Sequence, residues 1–152
     1  MTKNITILIF FIFLTGCGYS PLLNTEKVSF YINDLNFSGD KKISNYILNN
    51  LKKYQKPTEN TKNYYNIDIT SIYEKTIANK DGSGNPSNYN IRIKVNISAI
   101  SNEGNKINKN FERNRSLTVQ VKKIDENELE KKYKESLSNL LSEDIVFFLT
   151  NQ

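Results

Sequence analysis

The clearest regularity in the chain is the strict alternation from Tyr89 to Ala99. Tyr89, Ile91, Ile93, Val95, Ile97 and Ala99 share one parity, and Asn90, Arg92, Lys94, Asn96 and Ser98 share the other. A strand sends successive side chains to opposite faces, so this segment predicts a strand with one face in a core and one in water. Three further segments show the same period. Val28, Phe30 and Ile32 alternate with Ser29, Tyr31 and Asn33, which predicts a first strand of about six residues. Tyr65, Ile67 and Ile69 alternate with Asn66, Asp68 and Thr70 in a strand running from Tyr64 to about Thr76. Ile107, Phe111, Leu117 and Val119 share one parity between Lys106 and Gln120.

Two stretches change to the helical period. After Ser38-Gly39-Asp40, which offers capping side chains, Ile43, Tyr46, Ile47, Leu51 and Tyr54 recur at helical spacing until Pro57 ends the run. Asp125 with Glu128 reads as a capping-box start for a closing helix, whose stripe is Leu129, Tyr133, Leu137, Leu140, Leu141, Ile145 and Phe148. The cluster from Asp81 to Ser87 breaks all periodicity, and Asn102-Glu103-Gly104-Asn105 reads as a hairpin turn.

The order strand, helix, strand, strand, strand, helix predicts an α+β fold. Four strands form a mixed sheet, and two helices cover one of its faces in a two-layer sandwich. The first crossover is expected to be right-handed and parallel, and the other pairings antiparallel. The uncovered face would carry Asn, Asp, Thr, Ser, Arg and Lys. The register of the hairpin over 88–120 stays open. Matching Ile97 with Phe111 and Ile91 with Leu117 puts Arg113 and Arg115 on the apolar parity. A shift by one sets Arg92 opposite Arg115 and Lys94 opposite Arg113, which gathers four positive charges on the wet face.

The N-terminus carries a different signal. Met1-Thr2-Lys3-Asn4 precedes an apolar run from Ile5 to Leu14, too short to span a bilayer, and Leu14-Thr15-Gly16-Cys17 follows. That is the form of a lipoprotein signal peptide. Residues 1–16 are then removed, and Cys17 receives diacylglycerol on its thiol and an acyl chain such as palmitate on its amine. Residues 17–26, with Pro21 and little periodicity, read as a lipidated tether, and 27–152 as a single domain. Gly18 lacks the Asp character of an inner-membrane retention signal, so an outer-membrane location facing the periplasm is expected.

Composition narrows the chemistry. The chain has no His, and Cys17 is its only Cys, so no internal disulfide is expected and the commonest catalytic bases and nucleophiles are missing. An enzyme is not expected, nor a cofactor beyond the covalent lipid. Twenty-one Lys and Arg against sixteen Asp and Glu make the chain mildly basic, which suits anionic lipid or saccharide, and export argues against nucleic acid. Gly82-Ser83-Gly84 is not followed by a helix or a Lys-Ser/Thr pair, so it reads as a turn and not a phosphate loop. Asn79, Asp81, Ser83 and Gly84 start like a calcium loop, but Asn90 stands where the bidentate Glu belongs, so no metal site is expected. Tyr46, Tyr54, Tyr65, Tyr89 and Tyr133 match core or core-edge positions better than sugar-stacking ones. Glu126, Glu128, Glu130 and Glu135 read as complements to the dipole of the closing helix.

Cys17-Gly18-Tyr19-Ser20-Pro21-Leu22-Leu23, together with the element order and the long closing helix, resembles the lipopolysaccharide-assembly outer-membrane lipoprotein family, LptE, in its alphaproteobacterial form. The small residues common in that family's closing helix are here Lys, Ser and Leu. The resemblance implies a lipoprotein that plugs a large outer-membrane β-barrel, assists its assembly and contacts lipopolysaccharide. An accessory subunit of another envelope complex is the alternative. Only three Arg occur in this Lys-rich chain, all in the hairpin segment. The planar guanidinium can engage phosphate through two hydrogen bonds, so Arg92, Arg113 and Arg115, with Lys94, are the candidate ligand-binding residues.

Overall fold

The computed structural model describes residues 28–57 and 61–152, so the signal segment, Cys17 and the tether lie outside the described residues. The elements are β1 (Phe30–Gly39), α1 (Lys41–Leu51) followed by a 3-10 turn (Lys52–Tyr54), β2 (Asn63–Lys80), β3 (Pro86–Ser101), β4 (Lys106–Thr118) and α2 (Lys123–Thr150). The four strands form one sheet in the order β1-β2-β3-β4. β1 pairs with β2 in parallel, and the other two pairings are antiparallel. This is the α+β architecture expected from the alternation. Both helices lie on the face that carries Ile67, Ile69, Ile91, Ile93 and Val95. Those side chains and Ile43, Ile47, Leu51, Leu141 and Ile145 from the helices are all buried, at 1% exposure or less.

β1 is longer than its periodicity indicates, because the pairing slips between Ile32 and Asp34. The extra residue shifts the parity, so Phe30 and Ile32 face the helices before the slip, and Leu35 and Phe37 pack against the core after it. A reading by strict alternation must stop at that point. β2 likewise runs to Lys80, carried beyond Thr76 by its pairing with β3.

The junction of β1 and α1 is held by a small set of polar groups. Gly39 has φ +91°, and a Cβ there would lie 2.0 Å from the Ser71 carbonyl oxygen. The Asp40 N–H donates to that same carbonyl at 2.9 Å. Its side chain then caps α1, accepting from the N–H groups of Lys42 at 2.9 Å and Ile43 at 3.0 Å. Below it, the fully buried Ser71 hydroxyl donates to the Asp40 carbonyl at 3.1 Å and lies 3.0 Å from the Ser44 hydroxyl.

The closing helix departs from expectation at its start. α2 begins at Lys123 with Lys122 at the cap and no side-chain capping bond, so Asp125 and Glu128 do not form a capping box. Asp125 already lies in the first turn, and Glu126 is drawn inward to cations. The stripe also turns slightly. Leu140 is 43% exposed, while Ser138, Ser142, Val146 and Leu149 are buried. The two serines bond the carbonyls four residues back, which satisfies their hydroxyls and keeps this surface thin where Asn50 of α1 reaches Asn139 at 2.7 Å.

Two substitutions test this account. Gly39→Ala combines left-handed backbone strain, worth about 1–3 kcal/mol, with a collision against rigid backbone, so its loss in urea denaturation is expected at or above the top of that range. Ile93→Ala leaves a cavity beneath both helices and is expected to cost about 2–4 kcal/mol. A loss under about 0.5 kcal/mol at Ile93 is the value of an exposed site and would contradict its burial.

Candidate functional site

The hairpin adopts neither of the two registers weighed from sequence. Val95 pairs with Phe111, Ile93 with Arg113 and Ile91 with Arg115. Arg113 and Arg115 therefore share the parity of the core and face the helix layer. Arg92 and Lys94 stand on the opposite, uncovered face. The four candidate cations are split two and two by the sheet, so the arrangement with all four on the wet face does not occur.

On the uncovered face, each cation meets a carboxylate from a neighbouring strand. Lys94 Nζ donates to Glu74 Oε1 at 3.0 Å. Arg92 Nη1 lies 3.6 Å from Glu74 Oε2, and its Nε lies 3.1 Å from Glu112 Oε1 without the alignment of a hydrogen bond. The cluster is about one-third to one-half exposed, and its two positive and two negative charges balance. Next to it the face turns mostly to amides and hydroxyls, with the Asp68 carboxylate among them. The register sets Ser38, Thr70, Asn96 and Asn110 in one cross-strand row, and Asn36, Asp68, Ser98 and Asn108 in the next. Ser38 and Thr70 hydroxyls are 2.8 Å apart, and Asn36 donates to Asp68 at 3.2 Å. Tyr31 and Tyr64 pack together on the same parity, with ring centroids 5.5 Å apart.

On the helix side, the arginines are anchored to α2. Arg113 forms a two-point pair with Asp144, Nε to Oδ2 at 2.9 Å and Nη2 to Oδ1 at 2.7 Å. That carboxylate holds the guanidinium pKa above its ordinary value. Arg115 lies over the Tyr133 ring, 4.2 Å from its centroid. Near Arg113, a groove of about 480 Å³ runs between β4 and the end of α2, past Phe111, Phe147 and Phe148.

A second ionic cluster was not foreseen. Lys75, on the core parity of β2, pairs with Glu126 at 3.1 Å and Glu130 at 2.8 Å, and its ammonium sits 4.2 Å from the Tyr89 ring centroid. Glu126 is only 2% exposed and also pairs with Lys123. Glu130 accepts from the Tyr73 hydroxyl at 2.8 Å and pairs with Lys134 at 2.7 Å. The clues in the sequence were a Lys in line with Tyr65, Ile67, Ile69, Ser71 and Tyr73, and Glu126, Glu130 and Lys134 stacked at helical spacing.

Burial pushes the Glu130 pKa up, but the hydrogen bonds from Lys134, Lys75 and Tyr73 outweigh it and hold the carboxyl at about 2. At Glu126 the hydrogen bond from Lys123 leads, burial opposes, and Lys75 adds to a net lowering. For Lys75 burial opposes the charge, and its bonds to Glu130 and Glu126 reverse the sign and raise its pKa. Of the tyrosines expected in the core or at its edge, Tyr54 and Tyr65 are buried and Tyr89 and Tyr133 pack against the core, whereas Tyr46 is half-buried and lines a groove between the helices with Lys42, Asn127 and Lys131. Among the described residues no helix is long and apolar enough to cross a membrane.

The arrangement defines a class: a two-layer α+β domain with a long mixed sheet, helices on one face, and a broad, charge-balanced polar face on the other. Solved structures with this fold include rare lipoprotein B from Shewanella oneidensis, with a TM-score of 0.60 and 11% identity over 78% of this chain and 95% of that one. A lipoprotein B from Nitrosomonas europaea matches with a TM-score of 0.54 and 12% identity, covering 84% of this chain and 88% of that one. A minor lipoprotein from Acinetobacter baumannii matches with a TM-score of 0.53 and 15% identity, covering 78% and 93%. At these identities the likeness is one of fold. By sequence, no family model and no curated protein matches the chain.

The ionic cluster makes the stability dependent on acid. A carboxyl whose pKa is lowered by folding stabilises the fold above its unfolded value, near 4.5, and that contribution fades as pH falls toward its folded value of about 2. Glu130→Gln should therefore lower stability by about 2 kcal/mol at pH 7. The gap between wild type and variant in urea denaturation should close progressively below pH 4.5. A gap independent of pH would show that the Glu130 charge is not what stabilises the contact.

Proposed function

We propose that this chain is a lipid-anchored lipoprotein of the outer membrane, facing the periplasm, that lies against the luminal wall of the lipopolysaccharide-inserting β-barrel and assists its assembly. It is read as a binding protein and not an enzyme. The observation that carries this reading is the uncovered sheet face, whose ordered rows of amides and hydroxyls and internally balanced charges suit a wet, polar, largely uncharged protein surface. The Leu14-Thr15-Gly16-Cys17 motif and the fold shared with rare lipoprotein B support it. Cys17 carries the lipid in this reading, and no other cofactor is invoked.

Lipopolysaccharide contact is a second part of the proposal. Arg92 and Lys94 are available from the uncovered face, and Arg113 and Arg115 from the helix side. Phosphate at Arg92 would have to displace Glu74 and Glu112, and at Arg113 it would have to displace Asp144. Binding through either pair should therefore be modest and fall as salt rises, because exposed charges are screened over about 8 Å at physiological ionic strength.

Purification of the full-length lipoprotein from envelopes in mild detergent tests the main reading. A stoichiometric large β-barrel is expected, and Cys17→Ser should abolish lipid labelling and processing. Recovery of a periplasmic scaffold in place of a barrel would favour the accessory-subunit alternative. With lipopolysaccharide as probe, Arg92→Glu with Lys94→Glu, and separately Arg113→Glu with Arg115→Glu, identify which face binds. Unchanged binding by both folded variants would remove the arginine site and leave the barrel role standing.

A further inference from the structure

β1 ends at Gly39, opposite Ser71, while β2 continues to Lys80. Beyond that point, among the described residues, no strand pairs with β2 on the β1 side. The direction of its backbone groups follows from two bonds. Ser71 C=O accepts from Asp40 on the β1 side, and Tyr64 C=O accepts from Asn102, which continues from β3. Backbone groups alternate sides along a strand, and β2 pairs regularly from Tyr65 to Ile77. The N–H and C=O groups of Tyr73, Lys75 and Ile77 therefore point out of the bare edge.

We propose that this edge, from Ile72 to Ile77, takes up one extended segment of the partner protein as an added strand in line with β1. The proposal rests on the reading of the chain as a partner of an envelope barrel and supplies the mode of contact. Three observations favour a polypeptide strand. The slot offers six backbone groups in a row of about 16 Å, which only another extended backbone matches in spacing. Its apolar side chains are accessible: Ile77 is 51% exposed on the helix side, where Ile67 and Ile69 beside β1 are buried, and Ile72 is 40% exposed on the open face. Charge does not guard it either, since Lys75 is held by Glu126 and Glu130, and Glu74 by Lys94 and Arg92. The other long edge, β4, carries Lys106, Lys109 and Arg115, which form no ion pair among the described residues, the kind of charge that discourages added strands. The irregular pairing between Ile77 and Lys80 closes the slot at its far end.

The test is amide hydrogen exchange on the full-length lipoprotein, isolated alone in detergent and within its copurified barrel complex. The amides of Tyr73, Lys75 and Ile77 should exchange about tenfold or more slowly in the complex than alone. Ile77→Pro removes an outward N–H without touching the β3 ladder, so recovery of the barrel should fall, whereas Ile77→Thr, which keeps the N–H, should retain it. A barrel complex in which these three amides remain unprotected would overturn the strand proposal and leave the barrel role intact. Protection in the isolated protein that grows with its concentration would assign the edge to a second copy of the chain and overturn it equally. If no barrel copurifies with the wild type, both readings fall together.

Discussion

The contact of Gly39 and Asp40 with Ser71 decides the layout of the domain. The closeness of Gly39 to the Ser71 carbonyl leaves no room for a side chain, and the backbone there turns with a positive φ. In two residues the chain leaves the sheet, bonds back to β2 and begins a capped helix over the core. Because Ser71 also bonds the Asp40 carbonyl and meets Ser44, the position of α1 along the sheet is set by hydrogen bonds, and apolar packing alone does not choose it. The same contact fixes where β1 ends, and with it which part of β2 has a neighbour and which has none.

Charges on the sheet fall into two populations that differ in consequence. On the uncovered face, Arg92, Lys94, Glu74 and Glu112 are partly solvated, and pairs of this kind contribute little stability. What they do is cancel one another's field, so the face presents polarity without a strong net sign. Under the helices, Lys75 and the nearly buried Glu126 leave water and need each other, since removing one partner strands the other charge in a poor solvent. Their role is positional: they pin the first turns of α2 over the end of the sheet that α1 does not reach.

Much of the fold was legible from alternation because strands with one dry face have little freedom in where they place Ile and Val. The core residues of β2 and β3 followed from parity, the element order from the change between strand and helix periods, and the parallel and antiparallel pairings from that order. What escaped had a physical cause in each case. The slip at Asn33 hid the second half of β1, since one extra residue inverts the parity on which the reading depends. The hairpin register was undecided because β4 offers only three apolar residues, Ile107, Phe111 and Leu117, and Arg113 and Arg115 occupy core-parity positions at an exposed edge, where Asp144 and Tyr133 of a distant helix meet them. The capping box at Asp125 and Glu128 failed because Glu126 has a stronger use. The candidate site was legible in residue type but not in grouping, since the side of a sheet on which a cation falls depends on register.

The length of β2 has a consequence for what the domain can span. Phe30 enters beside Asn63 at one end of this strand, and the loop from Asp81 to Asn85 closes the other. Eighteen residues of unbroken strand hold those two ends about 60 Å apart. A hydrocarbon layer is only about 30 Å thick. The sheet is thus a ruler with its zero beside Phe30 and its far mark at the 81–85 loop, and two groups bound at those marks lie about twice the thickness of a hydrocarbon layer apart.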